Sequence, residues 1–173
     1  VNTIDDFKGL KLRVPERDYY VQSITAFGAK PTPMAFKEVY TALQTGIVDG
    51  QENPVETIYA QKFYEVQKCV VMISYIDKPA YVMIGEKFWK ARSEQEREWI
   101  KKAQAASETV VESILPGQEK ALIEKMKKSG VVFTYPDKKP FMEATQSVRD
   151  ELGAKRWGKE LYQKIVEIGK QKL

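Results

Sequence analysis

Residues 31–54 have the sequence PTPMAFKEVYTALQTGIVDGQENP, a helical pattern followed by a polar connection. Apolar side chains recur at helical spacing at Phe36, Val39, Tyr40 and Leu43. Gly46 is predicted to end this helix. Asn53 before Pro54 predicts a second helix, with Asn53 as its N-cap and Pro54 at its first position. Residues 49–53 place two acids and two amides beside a glycine, which is more polarity than a connection between core helices needs.

The segments on both sides of this stretch predict an α/β chain. Lys11–Val14 alternates polar and apolar residues and ends at Pro15, as a short strand does. Residues 16–27 have helical spacing, and residues 69–76 and 80–84 are apolar runs typical of strands. Because strands and helices alternate over the first half of the chain, we expect a mainly parallel sheet.

The second half of the chain is predicted to be mostly helical. Ser93 and Glu96 have the spacing of a capping box, which predicts the start of a long helix. Pro116 and Gly117 are predicted to break that helix. One more strand is expected near residues 131–135, with further helices after it.

The composition of the 173 residues narrows the chemistry that the chain can carry. The net charge of +4 is spread along the chain beside acids, which predicts a solvated surface and no nucleic-acid site. Histidine is absent, so Ser-His-Asp and Cys-His nucleophiles are excluded within the chain, and the commonest zinc ligand is missing. Cys69, the single cysteine, lies in an apolar run and is predicted to be a buried strand residue. We predict no cofactor, no metal site, no signal peptide and no membrane span.

Three residues could form a binding site for a small anionic molecule. Arg13 lies close to the end of its strand, where open α/β sheets bind ligands, and a planar guanidinium fits a carboxylate through two parallel hydrogen bonds. The alternative for Arg13 is an ordinary surface position. Asn53 could add an amide donor at a helix start, where anions are favoured, or could serve only as a cap. Phe36 is either a core residue of its helix or an aromatic wall beside a ligand.

Asp49 and Glu52 are the acids of the same polar segment. They could form a general acid–base pair, or contribute to a cation site. Roles in bracing the turn are favoured, because the two acids are three residues apart in a glycine turn and nothing in the sequence indicates raised pKa values.

Three segments that follow one another in order carry a resemblance to a known family: GLKLRVPE at residues 9–16, FGAKPTPMAFKEVYTALQTGIVDGQENP at residues 27–54, and KFYEVQKCV at residues 62–70. The chain resembles the DctP-type receptors of TRAP (tripartite ATP-independent periplasmic) transporters, in register from about residue 9 to residue 89. The resemblance implies a periplasmic-binding-protein-like α/β lobe with a mainly parallel sheet, hinge strands and a long C-terminal helical region.

The resemblance also assigns roles to individual residues. Arg13 matches the arginine that binds the ligand carboxylate in such receptors. Asn53 matches a pocket asparagine and Phe36 a pocket aromatic residue, and Tyr75 falls near a position that often lines the pocket. Asp49 and Glu52 are then expected to brace the turn rather than touch the ligand.

Receptors of this family are longer on the N-terminal side, so we expect this chain to be the C-terminal portion of a receptor, without the N-terminal lobe. Residues 1–76 would form the second, ligand-binding lobe. Residues 77–92 would form a hinge strand and connection. Residues 93–173 would form the long helix and C-terminal helices that pack on the lobe.

The expected function is that of an extracytoplasmic receptor, not an enzyme, that binds a small organic acid and delivers it to a TRAP membrane permease. The expected partners are the acid, the permease subunits and the N-terminal lobe of the same receptor. A ligand-sensing module with the same fold is the alternative, and a small acid–base enzyme is less favoured. The sequence leaves open which acid is bound and how residues 16–25 affect that choice.

Overall fold

Two parallel sheets organise the part of the chain that the computed structural model describes, residues 1–76 and 81–170. The first sheet has the order β2-β1-β3 and consists of Lys11–Val14 (β1), Lys30–Pro33 (β2) and Gly50–Gln51 (β3). The second sheet pairs Cys69–Val71 (β4) with Val132–Thr134 (β5). Because β1 is parallel to both of its neighbours, the three strands of the first sheet end at the same edge. The α/β class and the parallel pairing predicted from the sequence are confirmed.

Helices cover both sheets and make up most of the second half of the described chain. The α-helices are α1 (Asp18–Ala26), α2 (Val39–Gln44), α3 (Val55–Ala60), α4 (Phe63–Val66), α5 (Glu86–Lys90), α6 (Glu94–Lys128), α7 (Lys139–Ala144), α8 (Gln146–Trp157) and α9 (Lys159–Lys170). Two short 3-10 helices, Ile4–Phe7 and Phe36–Glu38, precede β1 and α2.

Two apolar cores hold these elements together. In the first, the rings of Phe7, Phe27 and Phe141 meet edge to face with centroids 5.1 to 5.8 Å apart, which joins the ends of α1 and α7 beneath β1. In the second, α2, α3 and α4 pack together and α3 packs against the C-terminal part of α6, in a cluster that contains Phe63 and the fully buried Met126. The first sheet is therefore supported by packing from both halves of the chain.

The long helix predicted from the capping box is confirmed, but its predicted break is wrong. The Ser93 hydroxyl accepts the Glu96 N–H at 3.3 Å, and the Glu96 carboxylate accepts the Ser93 N–H at 2.7 Å. Helix α6 then continues through Pro116 and Gly117 to Lys128. Strong helix formers on both sides of this pair outweigh the local cost of one proline and one glycine.

The apolar runs after residue 68 form less strand than their sequence predicts. β4 ends at Val71, and Cys69 is exposed rather than buried; among the described residues, β4 pairs only with β5, in a two-stranded sheet. Residues 81–84 form no strand, and Met83 is 88% exposed. Residues 77–80, where the expected hinge begins, lie outside the described residues. The division of the chain at residues 77–92 stays a prediction.

The C-terminal helices pack on α1 and on each other. Arg156 of α8 forms an ion pair with Asp18, and its guanidinium lies 5.1 Å from the ring centroid of Tyr19. Helices α8 and α9 approach closely at the buried Gly153, where a Cβ atom would lie 2.3 Å from Cδ2 of Tyr162. Gly153 is therefore required by packing between the two helices.

We expect Gly153→Ala to lower the free energy of unfolding by about 1–2 kcal/mol, because the steric overlap with Tyr162 outweighs the helix propensity that alanine adds. Urea denaturation measures the effect. Gly117→Ala in α6 is the matched control, since a Cβ atom there meets nothing within 4 Å. The control should raise the free energy of unfolding by up to about 1 kcal/mol. An equal gain in stability from both variants would contradict the packing argument.

Candidate functional site

The candidate site lies at the edge where β1, β2 and β3 end. Arg13 in β1 is in register with Thr32 of β2 and Gln51 of β3, so it occupies the centre of this edge. The chain that leaves β2 carries Phe36, and the chain that leaves β3 carries Asn53. The carboxyl edge of a parallel sheet is where α/β proteins bind ligands. The fold thus brings three of the four predicted site residues to one edge.

Arg13 is held in place by the backbone of the neighbouring segment. Its side chain is buried, with 3% of the residue exposed, and both Nε and Nη2 donate to the Met34 carbonyl oxygen, at 3.0 and 2.7 Å. The Phe36 ring covers one face of the guanidinium, with 5.8 Å between Cζ and the ring centroid. Within the described residues Nη1 makes no hydrogen bond, so the outer edge of the guanidinium retains donors for an anion. The surface alternative for Arg13 is therefore wrong.

Phe36 lies at the rim rather than in the core. It is 43% exposed and touches Phe63 edge to face, with 6.0 Å between the ring centroids. Val39 and Leu43, on the same predicted helix face, are buried as expected. Phe36 differs from them because it belongs to the 3-10 turn before α2, which points its ring toward Arg13. The core alternative for Phe36 is wrong, and the aromatic-wall alternative fits its position.

Asn53 does not cap a helix. Pro54 is the N-cap of α3, and Ile58 N–H donates to the Pro54 carbonyl at 3.0 Å, so the helix begins one residue later than predicted. The Asn53 side-chain amide instead donates to Oε1 of Gln51 at 2.5 Å. This bond holds the carboxamide beside the residue that is in register with Arg13.

Asp49 and Gly50 hold β3 against β1. The Asp49 carboxylate accepts the Lys11 N–H at 2.7 Å, and the Asp49 N–H donates to the Lys11 carbonyl at 2.8 Å. A Cβ atom on Gly50 would lie 2.9 Å from Cδ2 of Leu12. The bracing role expected for Asp49 is confirmed. Gly50 lies within β3, where its missing side chain leaves room for the Leu12 side chain of β1.

Glu52 is half-buried, in an environment that the sequence did not reveal. Burial raises the pKa of Glu52 to about 7, although the Arg13 charge and the Tyr75 hydroxyl both act to lower it. The pKa of this acid is therefore raised, which the sequence did not indicate, and its role in bracing the turn stays a prediction. Arg13 and Glu52 act on each other through space without a direct ion pair in the described part of the chain. This environment depends on the pairing of β1 with β3. The paired residues are 38 positions apart in the sequence, so a local pattern does not reveal it.

Tyr75 connects this edge to the first core. Its ring meets Phe27 edge to face at 5.5 Å between centroids, and burial followed by the charge of Glu52 raises the pKa of the phenol. The hydroxyl is buried and makes no hydrogen bond of regular geometry among residues 1–76 and 81–170. It nevertheless lies close enough to Glu52 to affect the pKa of that carboxyl. Tyr75 thus packs in the first core and interacts with Glu52.

The side chains at this edge are suited to binding an anion. A guanidinium with a free outer edge, an amide and an exposed aromatic ring provide charge, a hydrogen-bond donor and an apolar wall. The described residues contain no cluster of three or more acidic or cysteine side chains arranged to hold a metal. None of the helices in the described ranges has the length and apolar character to cross a membrane.

Comparison with known proteins gives consistent matches to solute-binding proteins. The family model of DctP, bacterial extracellular solute-binding protein family 7, matches residues 1–156. The sialic acid-binding periplasmic protein SiaP of Vibrio cholerae is 44% identical over 152 residues, which cover 88% of this chain and 47% of that protein. The C4-dicarboxylate-binding periplasmic protein DctP of Rhodobacter capsulatus is 34% identical and covers 90% of this chain and 48% of that protein.

Solved structures agree with these matches. A TRAP periplasmic solute-binding protein from Ochrobacterium anthropi, with bound L-fuconate, superposes with a TM-score of 0.83 at 32% identity. The match covers 95% of this chain and 54% of that chain. The chain therefore spans about half the length of the proteins that it matches. By sequence and by structure, this chain belongs to the DctP family of bacterial extracellular solute-binding proteins.

Proposed function

We propose that the chain is the ligand-binding portion of a periplasmic receptor that takes up a small organic acid and delivers it to a TRAP membrane permease. The observation that carries this proposal is the buried Arg13 guanidinium, fixed by the Met34 carbonyl at the carboxyl edge of the sheet with its outer edge available. A fixed cation of this kind binds a carboxylate without having to be ordered first, which favours tight binding.

The site residues take complementary roles in this proposal. Arg13 pairs with the carboxylate through its outer edge, and Asn53 donates a hydrogen bond from its amide. Phe36 packs on the carbon skeleton of the ligand, with its ring 43% exposed for that contact. Tyr75 lines the site near Glu52, with its ring packed on Phe27. Relatives named for sialic acid and C4-dicarboxylates, and a structure with bound L-fuconate, support a carboxylate as the shared feature of the ligand.

The remainder of the receptor would close the site. Because the chain spans about half the length of its relatives, we infer that a second lobe covers the ligand from the side opposite the sheet edge. Closure of two lobes around a ligand is a hinge motion that is stabilised by contacts made only in the closed state. The receptor then releases the acid unchanged to the permease, without catalysis.

A thermal-shift screen of the whole receptor tests the proposal. Sialic acid, L-fuconate and succinate are the probes, and at a hundredfold excess over Kd a bound acid should raise Tm by about 5 °C or more. The methyl esters of the same acids are the control and should give no shift, because they lack the charge that Arg13 binds. Recovery of the bound acid unchanged after incubation separates a receptor from an enzyme. Equal shifts from acid and ester, or turnover of the acid, would contradict the proposal.

A further inference from the structure

Gln51 and Asn53 form a pair of side-chain amides at the sheet edge where we place the ligand. The Asn53 Nδ2 donates to Gln51 Oε1 at 2.5 Å, and both side chains are half-buried. Among the described residues, neither amide has another hydrogen-bond partner. The orientation of each amide therefore depends on the other.

The amide pair lies next to the guanidinium that binds the ligand in our proposal. Gln51 of β3 is in register with Arg13 of β1, and residues in register place their side chains on the same face of a sheet. Arg13 directs Nε and Nη2 to the carbonyl oxygen of Met34, which follows β2 on the other side of β1. The Met34 contact and the amide pair therefore flank Arg13 from opposite strands.

The orientation of the Asn53 amide decides whether it attracts or repels a carboxylate. A side-chain amide has an NH₂ donor and an oxygen acceptor of nearly the same shape, and half a turn about its last bond exchanges them. A carboxylate only accepts hydrogen bonds, so the NH₂ end binds it and the oxygen end repels it. In the structure one N–H of Nδ2 donates to Gln51, which leaves the second N–H of the same group for the ligand.

Gln51 favours this orientation because it presents an oxygen to Asn53. Rotation of the Asn53 amide alone would bring its Oδ1 against Oε1 of Gln51, and two acceptors form no hydrogen bond. An amide that is oriented before the ligand arrives does not have to be ordered on binding, which favours affinity.

We propose that Gln51 is a positioning residue that holds the Asn53 amide with its free N–H directed to the carboxylate bound by Arg13. This inference rests on the proposed function, and it adds a residue that acts through Asn53 rather than on the ligand. Loss of the Gln51 amide should then weaken binding only while Asn53 is present. A residue that merely shaped β3, or that bonded the ligand itself, would matter with or without Asn53.

A double-mutant cycle in the whole receptor tests this dependence. Gln51→Met keeps the length of the side chain without the amide, and it should raise Kd by about fivefold, the effect of one hydrogen bond. Asn53→Ala should raise Kd by about tenfold or more. In the Asn53→Ala background, Gln51→Met should change Kd by less than about twofold. Calorimetry measures Kd with the acid among sialic acid, L-fuconate and succinate that gives the largest thermal shift.

Gln67→Met is the matched control. Gln67 is also half-buried, its Nε2 donates to the Val66 carbonyl oxygen at 3.2 Å, and its Oε1 would lie 3.7 Å from a Cβ atom on Gly50. The control therefore removes a glutamine amide beside β3 without changing the amide pair, and it should keep the Kd of the wild type within about twofold. Thermal unfolding of the free receptor establishes that each variant folds.

The side-chain amide protons of Asn53 give a spectroscopic signature of the bond. Their signals are assigned in heteronuclear NMR spectra of the free receptor by their loss in Asn53→Ala. We expect one of these protons to exchange with solvent more slowly in the wild type and in Gln67→Met than in Gln51→Met, because Gln51 Oε1 accepts its hydrogen bond.

The outcomes separate this inference from the function on which it rests. If the acid binds Gln51→Met as tightly as the wild type, or if Gln51→Met costs the same affinity with and without Asn53, the role of Gln51 is overturned and the receptor function stands. Equal exchange of the Asn53 amide protons in the wild type and in Gln51→Met also overturns the inference. If none of the three acids binds, both proposals fail together.

Discussion

Arg13→Lys is expected to weaken binding of the organic acid by about 100-fold or more, with the receptor still folded. Arginine at this position makes two hydrogen bonds to the Met34 carbonyl and keeps an outer edge for the ligand. An ammonium group cannot do both, since it has no fork and its shorter reach moves the charge inward. Loss of a bidentate, charge-assisted contact costs about 2–3 kcal/mol, which corresponds to about 100-fold in Kd. Calorimetry at pH 6 and thermal unfolding of the free variant measure the two effects separately.

Arg97→Lys is the matched control for this substitution. Arg97, in the first turns of α6, also directs its guanidinium to backbone carbonyls, those of Trp89 and Lys90 at 3.0 and 3.2 Å. The control therefore loses the same kind of hydrogen bond away from the sheet edge, and it should bind the acid as the wild type does. The assignment of Arg13 is wrong if Arg13→Lys binds within about threefold of the wild type, or if both variants lose affinity equally.

Local patterns in the sequence were sufficient to predict strand β1 and the buried face of helix α2. The alternation in Lys11–Val14 predicted β1, and the position of Arg13 near its end followed from Pro15. The periodicity of Val39 and Leu43 predicted the buried face of α2. These features depend on neighbouring residues, so a local pattern contains the information that they need.

Features that depend on distant partners could not be predicted in this way. The pKa of Glu52 is raised by burial and lowered in part by Arg13 and Tyr75, which no pattern within residues 49–53 reveals. Asn53 was predicted as a cap because Asn-Pro is a common helix start, but its amide bonds Gln51 instead. In each case the sequence identified a polar side chain, and the fold determined which residue it contacts.

The partner of an apolar helix face is likewise determined by the fold. Apolar spacing in a helix predicts that a face is buried, but it does not identify what buries it. In α6 every residue from 101 to 115 is exposed, including Val110 at 56% and Ile114 at 44%, whereas Met126 near the other end is fully buried. The exposed part of this helix has apolar residues without a partner in the described chain, which a receptor with a second lobe would cover.

This chain alone is therefore expected to bind the organic acid at least about 100-fold more weakly than the whole receptor. Arg13 has its outer edge open, and Phe36 is 43% exposed, so the described residues would contact a ligand from one side. A second lobe would add contacts and exclude water from the pair between Arg13 and the carboxylate, which strengthens it. Calorimetry with the same acid on this chain and on the whole receptor gives the ratio. Equal affinity would show that one lobe suffices and would contradict the two-lobed site.

A pair of substitutions on α6 tests whether the second lobe covers this helix. Val110→Asp and Ile114→Asp lie one turn apart on a face that is exposed in this chain, so together they should change its Tm by less than about 3 °C, the effect of helix propensity alone. In the whole receptor the same carboxylates would be buried against apolar surface without partners, and Tm should fall by about 5 °C or more. Glu108→Gln and Glu112→Gln, on exposed positions of the same stretch, are the controls and should leave both proteins unchanged. If the aspartates are tolerated equally in the chain and in the receptor, this face of α6 is exposed in both, and the second lobe must dock elsewhere.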